Sequence, residues 1–110
     1  MALGRQLYKE NCANCHQEDG SGLRRLYPPL KNSDFLNNDV AEILCIIRYG
    51  QIGDITVNGI TYDQEMPENR QLTDLDIAAI STYVLSAYGN KEIMISLEDI
   101  SNLKSTCKEK

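Results

Sequence analysis

The pentapeptide Cys12-Ala13-Asn14-Cys15-His16 limits this 110-residue chain more than anything else in it. Two thiols stand three positions apart, and an imidazole follows the second at once. Thiols can add to the vinyl groups on one edge of a porphyrin while the adjacent imidazole reaches the iron from one face. This is the spacing of c-type haem attachment. Rival readings of Cys-x-x-Cys lack their context. A thioredoxin-like pair belongs beside a βαβ pattern, and none is present. A zinc site wants a second close pair of ligands. The remaining cysteines, Cys45 and Cys107, lie 62 positions apart, and His16 is the only histidine. A disulfide framework of four cysteines has three pairings and leaves His16 unexplained.

One histidine also decides the other face of the iron. Bis-histidine ligation within the chain is excluded, and Met1, Met66 and Met94 are the thioethers. Met1 is terminal, and Met94 follows the main predicted helix. Met66 lies in a loop, where Pro67 holds the backbone extended and helps to aim the sulfur. The alternative is that Met66 fills a gap in the core, the usual work of methionine. Histidine plus methionine leaves iron no open position and raises its potential, which suits an electron carrier. A bulky apolar cofactor also suits a chain with no Trp and one Phe, which has few large side chains to fill its core.

The helical pattern starts at residues 2–11, with Leu3, Leu7 and Tyr8 on one side. Tyr27-Pro28-Pro29-Leu30 must be extended. Asn38 can cap a helix over 39–49 with the stripe Val40, Ile43, Leu44 and Ile47, ended by Gly50. Ile55-Thr56-Val57 and Ile60-Thr61-Tyr62 flank Asn58-Gly59, which predicts a hairpin. Thr73-x-x-Asp76 opens the clearest helix, with Leu75, Ala78, Ala79, Val84 and Tyr88 at helical spacing. Ser96-x-x-Asp99 repeats that signal and predicts a last helix over 97–105. Cys45 sits in an apolar run and is read as a buried, inert hydrophobe. Cys107, in a charged tail, is read as a free thiol or an unassigned pairing.

The formal charge of −5 is unevenly placed. Residues 1–31 carry five Lys/Arg against three Asp/Glu, and residues 32–90 carry two against nine. The acidic middle argues against a nucleic-acid partner. It fits a redox partner with a basic docking patch, or a surface that is merely well solvated. No stretch approaches the roughly 20 apolar residues of a membrane span, so none is expected in this chain. No signal peptide is legible, because Arg5, Lys9 and Glu10 interrupt the one candidate region. The expected location is the periplasm or the outer face of the cytoplasmic membrane, with a leader removed.

From Gly4 to Leu103 the chain resembles the class I cytochrome c family, in its bacterial mono-haem branch. Gly4 and Tyr8 precede Cys12 by the family's spacing, Pro28-Pro29-Leu30 matches its Pro-x-Leu, and Met66-Pro67 before Leu72-Thr73-Asp74 matches its distal segment. The resemblance implies an all-α fold. Three core helices and some short ones surround one haem, with a small β-hairpin before the distal methionine loop. It implies a single domain over 1–110, with a core of about 2–89 and an extension over 90–110. It implies one haem c, covalent through Cys12 and Cys15, with His16 and Met66 as the metal ligands. The carbonyl of Pro28 would accept the imidazole N–H, and Leu30 would lie against the haem. Arg48, Tyr49 and Tyr62 are candidate donors to the haem propionates, and Arg24 and Arg25 are weaker ones. The implied function is single-electron transfer between redox partners, without catalysis. The chain would act alone or as a domain or subunit of an oxidoreductase. A gas-binding protein with a labile Met66 is the alternative, distinguished by rapid carbon monoxide binding. Peroxidase activity lacks a distal His or Arg.

Overall fold

The computed structural model describes residues 2–23, 26–105 and 107. Helix α1 (Ala2–Asn11) runs into the single turn α2 (Ala13–His16). A loop and a 3-10 turn (Asp34–Asn37) lead to α3 (Val40–Tyr49). Strands β1 (Ile55–Val57) and β2 (Ile60–Tyr62) form the hairpin, and an irregular segment reaches α4 (Asp74–Ala87). The chain ends in α5 (Leu97–Ser101) and a 3-10 turn (Asn102–Ser105). The family's all-α arrangement with one small hairpin is therefore present, and the hairpin is its only sheet among the described residues.

Local chemistry sets most of the boundaries. Thr73 and Asp76 close a reciprocal capping box at α4, and Ser96 and Asp99 close another at α5. At α3 the cap is Asp39, whose carboxylate accepts from Ala41 N, rather than Asn38. Asn38 instead reaches Glu42 with its side-chain amide. The hairpin pairs Ile55 with Tyr62 and Val57 with Ile60. Asn58 (φ 52°) and Gly59 (φ 81°) both take the left-handed conformation that a type I′ turn requires. Two triplets alone would be marginal. Here Asn58 exchanges bonds of 2.8 and 2.9 Å with Asp34 and donates to Asn32 O, which moors the hairpin to the preceding loop.

Helices α1 and α4 cross where Gly4 meets Ala79. A Cβ on Gly4 would run into the Ala79 carbonyl and lie 3.0 Å from Tyr83 Cβ. On α1 the buried face is Gly4 and Tyr8, while the expected Leu3 is half exposed. On α4 the buried residues are Ile77, Ala78, Ile80, Ser81, Val84 and Leu85. The expected Leu75 is 58% exposed. This helix packs against α1, α3 and α5, so apolar residues occur around most of it and periodicity alone picks no unique face.

Ile95, Ile100 and Leu103 join the same core as Tyr8, Ile43, Ile80 and Leu85. Thr82 Oγ1 accepts from Ile95 N at 2.9 Å, which ties the segment after α4 back onto that helix. Residues 90–103 thus contribute Ile95, Ile100 and Leu103 to the core. Their return brings Cys107 to α3, where it forms a disulfide with Cys45 across a Cα–Cα distance of 5.7 Å. This corrects the expectation that Cys45 is an inert hydrophobe. The charge of residues 104–110 obscured a pairing that depends on Leu103 being buried four positions earlier.

Among the described residues, Ser81 Oγ is the buried side-chain polar atom without a hydrogen-bond partner. An unsatisfied hydroxyl costs free energy, and alanine is a better helix former than serine. Ser81→Ala is expected to stabilise the protein by about 1 kcal/mol, raising Tm by roughly 4–8 °C. Thermal unfolding of the two proteins checks this, and an unchanged or lower Tm would show that Ser81 has an unseen partner.

Candidate haem site

Residues from α1 to α4 enclose a cavity of about 200 Å³. Cys12, Cys15 and His16 line it from one segment, Pro28 and Leu30 from the next loop, and Ile43, Ile46 and Ile47 from α3. Val57 and Tyr62 come from the hairpin, Met66 from the loop after it, and Ile80 and Val84 from α4. Cys12 and Cys15 are free thiols here, both half-buried. Burial, and then the neighbouring Cys15, push the Cys12 thiol up to about 11.

The turn α2 places His16 by hydrogen bonds from His16 N and Gln17 N to Cys12 O and Ala13 O. The loop then folds beneath it. Gly22 N donates to His16 O, while Leu30 N and Lys31 N both donate to Gly20 O. This brings the Pro28 carbonyl to 2.9 Å from His16 Nδ1. A carbonyl only accepts, so Nδ1 carries the hydrogen and Nε2 keeps its lone pair. Burial lowers the pKa of His16, against the opposing pull of Pro28, and so favours the neutral ring a metal needs.

Met66 is half-buried, and its backbone is fixed by an antiparallel bridge to Gln51, with N–H···O distances of 2.8 and 2.9 Å. The bridge needs the close approach that Gly50 permits. A Cβ there would run into Met66 O and sit 2.9 Å from Glu68 N, and the φ of +82° also suits glycine. Gly50 thus ends α3 and also admits the Met66 backbone.

Other sequence candidates are placed as follows. Tyr62 is 4% exposed and lines the cavity. Arg48 does not line it. Its guanidinium pairs with Asp74 at 3.4 Å and lies 5.8 Å from the Tyr49 ring. Helix α3 turns Ile43, Ile46 and Ile47 inward, so the next residue swings towards the start of α4. Tyr49 likewise does not line the cavity, and Met94 is 81% exposed. Met1, Arg24 and Arg25 lie outside the described residues. Sequence reasoning missed Asn11, Gln51 and Asn69, which supply polar edges to the cavity. Tyr8 is fully buried at the cavity wall, donates to Gln17 O at 2.6 Å and packs on Tyr83 and Tyr88.

The donor set fits a haem. Among the described residues no group of three or more His, Cys, Asp or Glu side chains could hold a bare metal ion. A porphyrin brings four nitrogens of its own and needs only axial donors, an apolar slot and anchors, which is what His16, Met66, the aliphatic walls and the two thiols can provide.

Comparison with known proteins agrees. The family model described as cytochrome c matches residues 1–87. Cytochrome c-552 of Thermus thermophilus is 34% identical over 100 residues, covering 82% of this chain and 71% of that protein. The cytochrome c subunit of the quinone alcohol dehydrogenase of Gluconobacter oxydans is 30% identical over 94% of this chain, which spans 22% of the subunit. Subunit CcoP of the cbb3-type cytochrome c oxidase of Rhodobacter capsulatus is 34% identical over 80% of the chain, which spans 29% of the subunit. The chain therefore belongs to the cytochrome c family, as a class I c-type cytochrome domain of electron transfer whose cofactor is covalently attached haem c.

Proposed function

We propose that this chain is a mono-haem carrier of single electrons, with the haem joined to Cys12 and Cys15 and its iron held by His16 and Met66. The observation that carries this reading is the meeting of four side chains in one apolar cavity: two free thiols, an imidazole with its Nδ1 already engaged, and a thioether on a braced backbone. Haem supplies the reversible one-electron couple. The protein's part is to orient His16 through Pro28, present Met66, and exclude water with Leu30, Ile43, Ile80 and Val84. Arg48, held by Asp74, is left out of this assignment, while Tyr62 is retained as a donor at the cavity wall.

Met66→Ala tests the reading. The native protein should ignore carbon monoxide in both oxidation states. The variant should bind it in the reduced state, and its potential should fall by on the order of 0.1 V, within the roughly 0.8 V that axial ligands span. An unchanged spectrum and potential would remove Met66 from the iron.

The partners we propose are redox proteins with a basic docking patch. Asp63, Glu65 and Glu68 are exposed and lie within three residues of Met66 in sequence, and Glu65 reaches the cavity itself. The kinship with dehydrogenase and oxidase subunits favours a place beside or within such a complex. No described helix is long and apolar enough to cross a membrane. The Cys45–Cys107 disulfide suits an oxidising compartment outside the cytoplasmic membrane. The single core that joins Tyr8 to Leu103 supports one domain.

A further inference from the structure

The segment carrying Met66 is irregular from residue 63 to 73, with no helix or strand to hold it. The Gln51 bridge braces one side. On the other, Asn69 Nδ2 donates to Asn11 Oδ1 at 2.9 Å, across 58 residues of sequence. Both side chains line the haem cavity. Asn11 is the last residue of α1 and stands directly before Cys12.

Each amide is engaged at both ends. Asn69 Oδ1 accepts from Gln71 N at 3.0 Å, and Asn11 Nδ2 donates to Leu7 O at 2.8 Å. Reversing the Asn69 amide would set its NH₂ against the Gln71 N–H, so its neighbours fix which end faces Asn11. The result is a relay, Gln71 to Asn69 to Asn11 to Leu7, from the loop after Met66 to the helix that ends at the first thiol.

We propose that Asn11 and Asn69 form a clasp across the cavity that keeps Met66 on the iron, making both of them positioning residues. The inference rests on Met66 being the axial ligand. Release of a thioether needs its segment to lift, and a lift of residues 66–69 away from α1 breaks the Asn69–Asn11 bond. An exposed or half-exposed hydrogen bond of this kind is enough to shift a local opening equilibrium by about three- to tenfold. Overall stability should change little, because both residues lie outside the packed core.

Imidazole binding to the oxidised haem-loaded protein reads this opening directly, since imidazole takes the iron only when Met66 leaves. Asn69→Ala and Asn11→Ala should each raise imidazole affinity about three- to tenfold. The double variant should match either single, because the two residues act through one bond. Native affinity in Asn69→Ala, or effects that multiply in the double variant, would overturn the clasp. Met66→Ala separates the two levels of the reading. If it alters the spectrum while Asn69→Ala changes nothing, only the clasp fails. If Met66→Ala leaves the spectrum unaltered, the ligand assignment and the clasp fail together.

Discussion

Replacing Cys12 and Cys15 together with serine is expected to yield a chain that emerges from haem maturation at the mass of the bare polypeptide. The native chain should gain the mass of one haem. A thiol adds S–H across a vinyl double bond with no leaving group, so each cysteine accounts for one bond and the double replacement removes both. Serine keeps the size and loses the nucleophile. The consequence reaches beyond the cofactor. The cavity lies between α1, α3, α4 and the hairpin, and its walls include the buried Ile43, Val57, Ile80 and Val84. Without a group to fill it, these side chains face water or must collapse onto one another. The cofactor's binding free energy is then missing from folding. The double variant should therefore also lose most of its helical circular dichroism signal, while either single variant, still tethered once, keeps it. Haem remaining covalently bound after both replacements would place the attachment elsewhere.

The site was legible wherever its chemistry is local. Cys12, Cys15 and His16 sit within five residues, and Met66 precedes a proline in a chain with few other thioethers. The hairpin and both capping boxes were legible for the same reason, because a turn or cap is decided by neighbours in sequence. What the sequence obscured is set by distant groups. Arg48 stands one residue past the cavity wall, and only the position of Asp74 shows where its charge goes. The buried face of α4 depends on three surrounding helices. The Asn69–Asn11 bond joins residues that nothing in the sequence associates. Asp39 displaced Asn38 as the cap of α3, since adjacent residues of equal capping strength are separated only by backbone angle.

The cysteines show the same division, and they carry the second large effect. Cys45 and Cys107 consume each other, which leaves Cys12 and Cys15 free for the haem. The bond closes a separation of 62 residues. A closed loop of that length restricts the unfolded chain by about 4 kcal/mol in the chain-entropy description, and native disulfides typically deliver roughly 2–4 kcal/mol. It also locks down the turn that seats Leu103 and Ile100 in the core. Cys45→Ala with Cys107→Ala should therefore lower the Tm of the haem-loaded protein by roughly 10–25 °C. The absorption spectrum should stay native, because α3 lines the cavity with Ile43, Ile46 and Ile47 and not with Cys45. Thiol counting gives an independent reading. With two cysteines in thioether bonds and two in the disulfide, the mature protein denatured without reductant should react with no alkylating reagent. Two labelled thiols in that experiment would show Cys45 and Cys107 reduced, and the seat of the last helix would then rest on packing alone.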